Sequence, residues 1–226
     1  MIKKIFNFIK KTALLFFEVS FVLVVIFKFA PVPFTPLMIT RAVEQKAANN
    51  EMICSHDWVP IEEISINMQK AVIASEDGSF LTHNGFDFKA MQKAFKNNNK
   101  GRRIKGGSTI SQQTAKNVFL WQGRSYIRKA FEAYFTVLIE IVWGKERIME
   151  VYLNSIEMGN GVYGVEAAAK HWHKKNAVNL SPQQAASIAA ILPNPIKFKA
   201  TNSSSFINNR KAKIGKLMRY IGKLEY

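Results

Sequence analysis

The apolar segment near the N-terminus places the tightest constraint on what this chain can form. Residues 13–30 contain only three polar or charged side chains, Glu18, Ser20 and Lys28. About 18–20 apolar residues in a helix reach across the hydrocarbon core of a bilayer. Lys28 can extend its charge to the interface, whereas Glu18, if ionised at the bilayer centre, would cost about 2.5 kcal/mol or more. We predict a transmembrane anchor over residues 12–32.

A cleaved signal peptide is the alternative interpretation of this segment. The apolar run is long for a signal core, and no small-x-small cleavage site follows it before residues 31–33. We therefore favour an uncleaved anchor. Four lysines precede the span, and the positive-inside rule then predicts that residues 1–11 form a cytoplasmic tail. The expected location is the cytoplasmic (inner) membrane, crossed once, with the rest of the chain on the periplasmic or extracytoplasmic side.

The net charge of the chain predicts a polyanionic partner. Thirty-two Lys and Arg residues oppose sixteen Asp and Glu residues, which gives +16. Such an excess fits nucleic acid, an anionic membrane surface or a phosphorylated substrate. The predicted topology argues against nucleic acid and favours a lipid-linked phosphate. The single cysteine, Cys54, excludes an intramolecular disulfide.

The exported region is predicted to be mainly α-helical. Helical periodicity dominates the sequence and alternating strand patterns are scarce. Residues 33–54 are predicted to be a linker, residues 55–200 a catalytic domain, and residues 201–226 a basic amphipathic helix that packs on the domain or lies on the membrane. The predicted helices begin at Ser65, Asp87, Ser108, Arg124, Lys145 and Ser181, with others near 39–48 and 207–224.

Glu76 is the first candidate for a catalytic residue. Glu76 and Asp77 occupy the C-terminal end of a predicted helix that stops at Gly78, where the helix macrodipole disfavours negative charge. The helix end, the neighbouring carboxylate and partial burial would all disfavour the ionised form and strengthen Glu76 as a proton acceptor. A solvated helix end is the plain alternative. We hypothesise that Glu76 is a general base.

A second candidate region combines glycines, polar side chains and an unusual charge distribution. Gly106 and Gly107 precede a polar helix start with Ser108, Gln112 and Gln113, which suits close approach and hydrogen bonds to sugar hydroxyls. No acid lies between Asp87 and Glu132, so the stretch resembles a phosphate-binding cleft with one carboxylate set into it. Its cations are Lys89, Lys93, Lys96, Lys100, Arg102, Arg103, Lys105, Lys116, Arg124, Arg128 and Lys129.

Four ordered motifs resemble the peptidoglycan glycosyltransferases of glycosyltransferase family 51. They are Glu76-Asp-x-x-Phe80-x-x-His83-x-Gly-x-Asp87, Gly106-Gly-Ser-Thr-Ile-Ser-Gln-Gln113, Arg128-Lys-x-x-Glu132 and Lys145-x-x-Ile-x-Glu-x-Tyr-Leu-Asn154. The resemblance covers roughly residues 55–200 and implies a lysozyme-like α fold with a head lobe and a membrane-facing jaw lobe. Since no transpeptidase motif set follows, it is closest to the monofunctional biosynthetic form.

The resemblance also implies a reaction and roles for individual residues. The substrate would be lipid II, and Glu76 would deprotonate the acceptor 4-hydroxyl, which attacks the donor anomeric carbon with inversion to form a β-1,4 link. Glu132 would be the second catalytic carboxylate, acting near the donor pyrophosphate. The residues assigned to substrate binding are Asp77, Phe80, His83, Ser108, Gln112, Gln113, Lys116, Arg124, Arg128, Lys129 and Asn154.

The implied partners are lipid II, the nascent glycan strand and the membrane, with cell-wall synthesis or division proteins as further candidates. No tightly bound cofactor is expected. The family often uses a divalent cation, Mg²⁺ or Mn²⁺, but the sequence shows no dedicated ligand cluster. His171 and His173 lack a third ligand nearby and are interpreted as surface residues rather than a metal site.

Three other functions fit part of the sequence. A lytic transglycosylase or lysozyme-like hydrolase would also use a glutamate at a helix end, but cleaving a neutral glycan requires no pyrophosphate site. A non-enzymatic module for anionic lipid or glycan explains the anchor and the charge but not Glu76 and Glu132. A nucleic-acid-binding protein explains the charge alone.

Overall fold

The computed structural model describes residues 1–49, 51–99, 107–123 and 125–226. The fold is mainly α, as predicted. The α-helices of these residues are α1 (Ile2–Phe29), α2 (Pro36–Ala47), α3 (Ile66–Glu76), α4 (Phe88–Asn99), α5 (Ile110–Phe119), α6 (Tyr126–Val142), α7 (Gly144–Ser155), α8 (Val165–His173), α9 (Pro182–Ile191) and α10 (Ser205–Met218). Two short 3₁₀ helices cover Ile61–Glu63 and Ala177–Asn179.

Helix α1 contains the predicted apolar segment. By length and composition, it is long and apolar enough to cross a membrane. Its most apolar 18-residue window has a mean hydropathy of 2.2, and 11% of that window is buried. The helix also includes most of the basic residues 1–11, which continue it without a break. Its C-terminal end packs against α6 and α7, where the indole N–H of Trp143 donates to the carbonyl of Val24 over 2.7 Å.

Two groups of packed helices form the domain. In one group, α5 packs against both α6 and α7. In the other, α3 packs against α9 and α10. The core between the elements is apolar, and the burial of such surface is the main source of folding free energy in a domain of this kind. Its largest fully buried side chains include Tyr152, Phe80, Met68, Ile110, Ile139 and Ile188.

Helix starts follow the sequence closely, with one correction. Ser65 and Asp87 accept hydrogen bonds from the backbones of α3 and α4, and Ser181 forms the predicted capping box with Gln184. The prediction that Ser108 caps α5 is wrong. Thr109 is the cap, because its hydroxyl accepts from the N–H of Gln112 while the Gln112 side chain accepts from the N–H of Thr109.

Helix α10 ends at Met218, six residues earlier than predicted for this segment. Its buried side chains, Ile207, Ile214 and Met218, lie in the helix that packs on α3 and α9. In this arrangement α10 lies on the domain, which is one of the two placements considered for residues 201–226. Basic side chains such as Lys213 and Lys216 remain on its exposed face.

A small sheet and helix α8 were not predicted from the sequence. Strands β1 (Ser55–His56), β2 (Glu157–Gly159) and β3 (Val162–Tyr163) are ordered β1–β3–β2, with β3 parallel to β1 and antiparallel to β2. Gly161, in the turn between β2 and β3, has φ +70°, and a Cβ there would lie 2.3 Å from the carbonyl oxygen of Ile53. Strands of two or three residues are too short for an alternating pattern.

Candidate active site

Glu76 is the last residue of α3, and its carboxylate is held by two groups. The side chain is 17% exposed. Its Oε1 accepts a hydrogen bond of 2.7 Å from the hydroxyl of Ser75 and one of 3.2 Å from the guanidinium of Arg210 on α10. A partly exposed carboxylate with a fixed orientation at a helix end can accept a proton from a bound hydroxyl.

Asp77 turns away from its neighbour Glu76. One of its oxygens lies 2.9 Å from both the N–H of Ile110 and Nε2 of His83. Asp77 is buried, and Phe80 is completely buried. The ammonium of Lys145 lies 4.7 Å from the Phe80 ring centroid. Asp77, Phe80 and His83, which the resemblance assigns to substrate binding, therefore also have contacts within the protein.

Four charged residues on α5 and α6 form a cluster, which we define as Lys116, Arg128, Lys129 and Glu132. Glu132 is buried, with Arg128 2.9 Å from one carboxylate oxygen and Lys129 paired with the other. Burial lowers the pKa of Lys116. The attraction of Glu132 partly offsets this lowering, and the repulsion from Arg128 and Lys129 adds to it. Three cations around one carboxylate leave excess positive charge, an arrangement that suits phosphate.

The remaining residues assigned to substrate binding have structural contacts. The side chain of Gln112 is buried in the capping box, and the amide oxygen of Gln113 accepts from the hydroxyl of Tyr152 over 3.4 Å. Asn154 is completely buried and bonds the N–H of Val59 at 3.0 Å and its carbonyl at 2.8 Å. Ser108 is half-buried just before the cap of α5.

Some basic residues of the acid-free stretch fall outside the described residues. Arg124, assigned to substrate binding, is one of these, and the others are Lys100, Arg102, Arg103 and Lys105.

An apolar groove shares helices α5 and α6 with the charged cluster. Its volume is about 730 Å³, and its lining comes from α1, the start of α2, the end of α5 and α6. Helix α5 contributes Lys116 to the cluster and Phe119 to the groove, while α6 contributes Glu132 to the cluster and the adjacent Phe131 to the groove. A charged group bound at the cluster can therefore have an apolar chain lying beside the membrane-type helix.

A resident metal does not fit the side chains of this site. In the four described ranges, no group of three or more His, Cys, Asp or Glu side chains lies close enough to hold an ion. Glu132 is already paired with two cations. Nε2 of His173 lies 2.9 Å from the hydroxyl of Ser187, and His171 stacks edge-on against Trp172. We derive no step of a reaction from a metal.

The sequence analysis missed two residues that contact Glu76. Ser75 precedes it directly, and Arg210 follows 134 positions later in α10. A local pattern cannot indicate a contact over that separation. The available signal was the position of Arg210 in α10, three residues after the apolar Ile207 and four before Ile214, where a helix facing the core would carry an apolar residue.

Comparisons with known proteins agree on one family. The family model described as transglycosylase matches residues 44–219. Proteins named biosynthetic peptidoglycan transglycosylase are similar over most of the chain. The one from Bacteroides thetaiotaomicron is 50% identical over 98% of this chain and 90% of its own length. The one from Bdellovibrio bacteriovorus is 53% identical over 92% of this chain and 83% of its own length. The one from Caulobacter vibrioides is 54% identical over 86% of this chain and 82% of its own length. This chain belongs to the transglycosylase family.

Proposed function

We propose that this chain is a peptidoglycan glycosyltransferase that polymerises lipid II into β-1,4-linked glycan strands and releases undecaprenyl pyrophosphate. The observation that carries the proposal is the juxtaposition of the charged cluster with the apolar groove. A prenyl pyrophosphate needs both a cationic site for its phosphates and an apolar surface for its chain. The names of the similar proteins support the same activity.

Glu76 is the proposed general base. The acceptor sugar gives the proton of its 4-hydroxyl to Glu76, and the oxygen forms a bond to the donor anomeric carbon. The bond from that carbon to the pyrophosphate oxygen breaks with inversion, and its electron pair leaves with the pyrophosphate. Lys116, Arg128 and Lys129 stabilise the charge that develops there. Glu132 holds Arg128 and Lys129 in place.

The proposed orientation places the N-terminus in the cytoplasm and the catalytic domain on the extracytoplasmic side of the inner membrane. The lysines at the N-terminal end of α1 and the apolar run that follows them support this topology. The groove then opens beside the span, where a lipid-linked donor can enter from the bilayer. Residues 55–200 are the proposed catalytic domain, and cell-wall synthesis or division proteins are proposed partners.

The test supplies purified full-length protein in detergent with lipid II, and separately with finished glycan. We compare the wild type with Glu76→Gln and with Lys213→Gln, a change on the exposed face of α10. Polymer from the wild type and from Lys213→Gln, with at least a 10²-fold loss in Glu76→Gln, is the expected result. Muropeptides released from finished glycan without any polymer from lipid II would instead establish the lytic alternative.

A further inference from the structure

Arg210 is a cation on the side of α10 that faces the domain. It lies three residues after Ile207 and four before Ile214, and both of these are buried. A charge in such a stripe loses hydration and is tolerated only where it is paired. The side chain of Arg210 is 29% exposed, against 17% for Glu76 with which it forms an ion pair. The ion pair with Glu76 therefore offsets the loss of hydration of the Arg210 guanidinium.

The contacts of Arg210 converge on one oxygen of Glu76. One guanidinium nitrogen, Nη2, lies 2.8 Å from the hydroxyl of Ser75 and 3.2 Å from Oε1 of Glu76. The Ser75 hydroxyl lies 2.7 Å from the same Oε1. Among the described residues, no donor is bonded to Oε2. Two donors on Oε1 fix the carboxylate plane and leave Oε2 as the oxygen that faces a substrate hydroxyl.

Arg210 also changes the electrostatics at the end of α3. Glu76 lies at the C-terminal end of a helix, where the unpaired carbonyl groups repel a carboxylate. Asp77 and Tyr152 are the other titratable groups of the described residues that interact with this region. The Asp77 carboxylate is hydrogen-bonded to the N–H of Ile110 and to the ring of His83. Burial raises the pKa of Tyr152 well above its usual range. Arg210 places a positive charge 3.2 Å from Oε1 of Glu76 at this helix end.

We propose that Arg210 is a positioning residue for the general base, joining the C-terminal helix α10 to the catalytic carboxylate. Together with the hydroxyl of Ser75, its guanidinium holds Oε1 of Glu76. This inference rests on the proposed function of Glu76. It also gives α10, which lies C-terminal to the four motifs and in a region outside the predicted catalytic domain, a direct role in the reaction.

The experiment measures kcat and KM for lipid II polymerisation. Arg210→Gln removes the charge, Arg210→Lys keeps the charge without the guanidinium geometry, and Lys213→Gln removes a charge from the exposed face of the same helix. We expect Arg210→Gln to lower kcat about 10²-fold with little change in KM. Arg210→Lys should show a smaller loss in kcat, because it keeps the charge without the guanidinium geometry.

Two results would overturn the inference. One is an Arg210→Gln variant with wild-type kcat. The other is a loss of activity no larger than that of Lys213→Gln. If Arg210→Gln does not fold, as judged by circular dichroism, Arg210→Lys decides the matter, and wild-type kcat in that variant overturns the inference. Absence of polymer from the wild type would reject the proposed function itself, which separates the two failures.

Discussion

The carboxylate of Asp77 accepts a 2.9 Å hydrogen bond from the backbone N–H of Ile110, and this bond joins the end of α3 to the first residue of α5. The same oxygen lies 2.9 Å from Nε2 of His83. Glu76 sits on one of the two joined helices and Lys116 on the other. Asp77 therefore fixes the distance between the proposed base and the proposed phosphate site.

Replacing Asp77 should destabilise the fold as well as the site. Asp77→Ala leaves the buried N–H of Ile110 and the His83 ring without their acceptor. We expect the free energy of unfolding to fall by about 2–4 kcal/mol. The measurement is denaturant unfolding in detergent micelles. The control is Asp87→Ala, which removes the cap of α4 and should cost about 1 kcal/mol. Equal losses in the two variants would contradict the assigned role.

Glu132 and Arg128 should act as a unit in catalysis. The buried carboxylate and the guanidinium are 2.9 Å apart, so either change leaves the other group without its orientation. We expect Glu132→Gln and Arg128→Gln each to lower kcat about 10²-fold. The double variant should be little worse than either single one, since the second change removes an interaction already lost. Losses that multiply in the double variant would show that the two residues act independently.

Lys116 should set the alkaline limit of activity. Burial lowers its pKa below the usual value, so it loses its proton at a lower pH than an exposed lysine does. The phosphate site then loses one positive charge as the pH rises. Lys116→Arg stays charged, and we expect its alkaline limb in the pH profile of kcat/KM to lie at higher pH than that of the wild type. The control, Lys213→Arg, should leave the limb in place, and a limb that does not respond to Lys116→Arg would exclude this lysine.

Arg147 should stabilise the junction between the anchor and the domain. Its guanidinium donates to the carbonyls of Phe27 and Ala30, and it forms an ion pair with Glu150. Arg147→Ala removes all three contacts. We expect a loss of about 2–4 kcal/mol in the free energy of unfolding at pH 7, measured in micelles.

The size of that loss should depend on pH. Burial raises the pKa of Glu150, an effect that the charge of Arg147 partly offsets, so Arg147→Ala should raise the pKa of Glu150 further. A carboxyl with a raised folded-state pKa costs stability once the pH exceeds its ordinary value, because the unfolded chain ionises first. At a pH well below that ordinary value the carboxyl is protonated in both states, and the deficit of Arg147→Ala should shrink. A deficit independent of pH would mean that Glu150 contributes nothing to it.

The sequence predicted the helical class, the anchor and much of the charged cluster. These features are local. An apolar run of bilayer length identifies a helix of the spanning type, and caps such as Ser65, Asp87 and Ser181 satisfy backbone groups within three residues of themselves. Arg128, Lys129 and Glu132 lie within one helical turn, so their pairing follows from the helical repeat.

Only the tertiary structure decided which neighbours Glu76 and Asp77 have. The sequence placed Asp77 beside Glu76 as a second carboxylate, whereas folding turns Asp77 toward Ile110, 33 positions away, and brings Arg210 to Glu76 from 134 positions away. The sequence likewise predicted Ser108 as the cap of α5, whereas the cap is Thr109. Such contacts depend on how helices pack, and packing is set by the burial of whole helix faces. The sequence around one residue therefore does not indicate which distant residue it will contact. The sequence by itself therefore determined a membrane-type helix, a helical domain and the chemical groups of the site. The packing of α10 against α3 decided which oxygen of Glu76 is held and which accepts no hydrogen bond from the described residues.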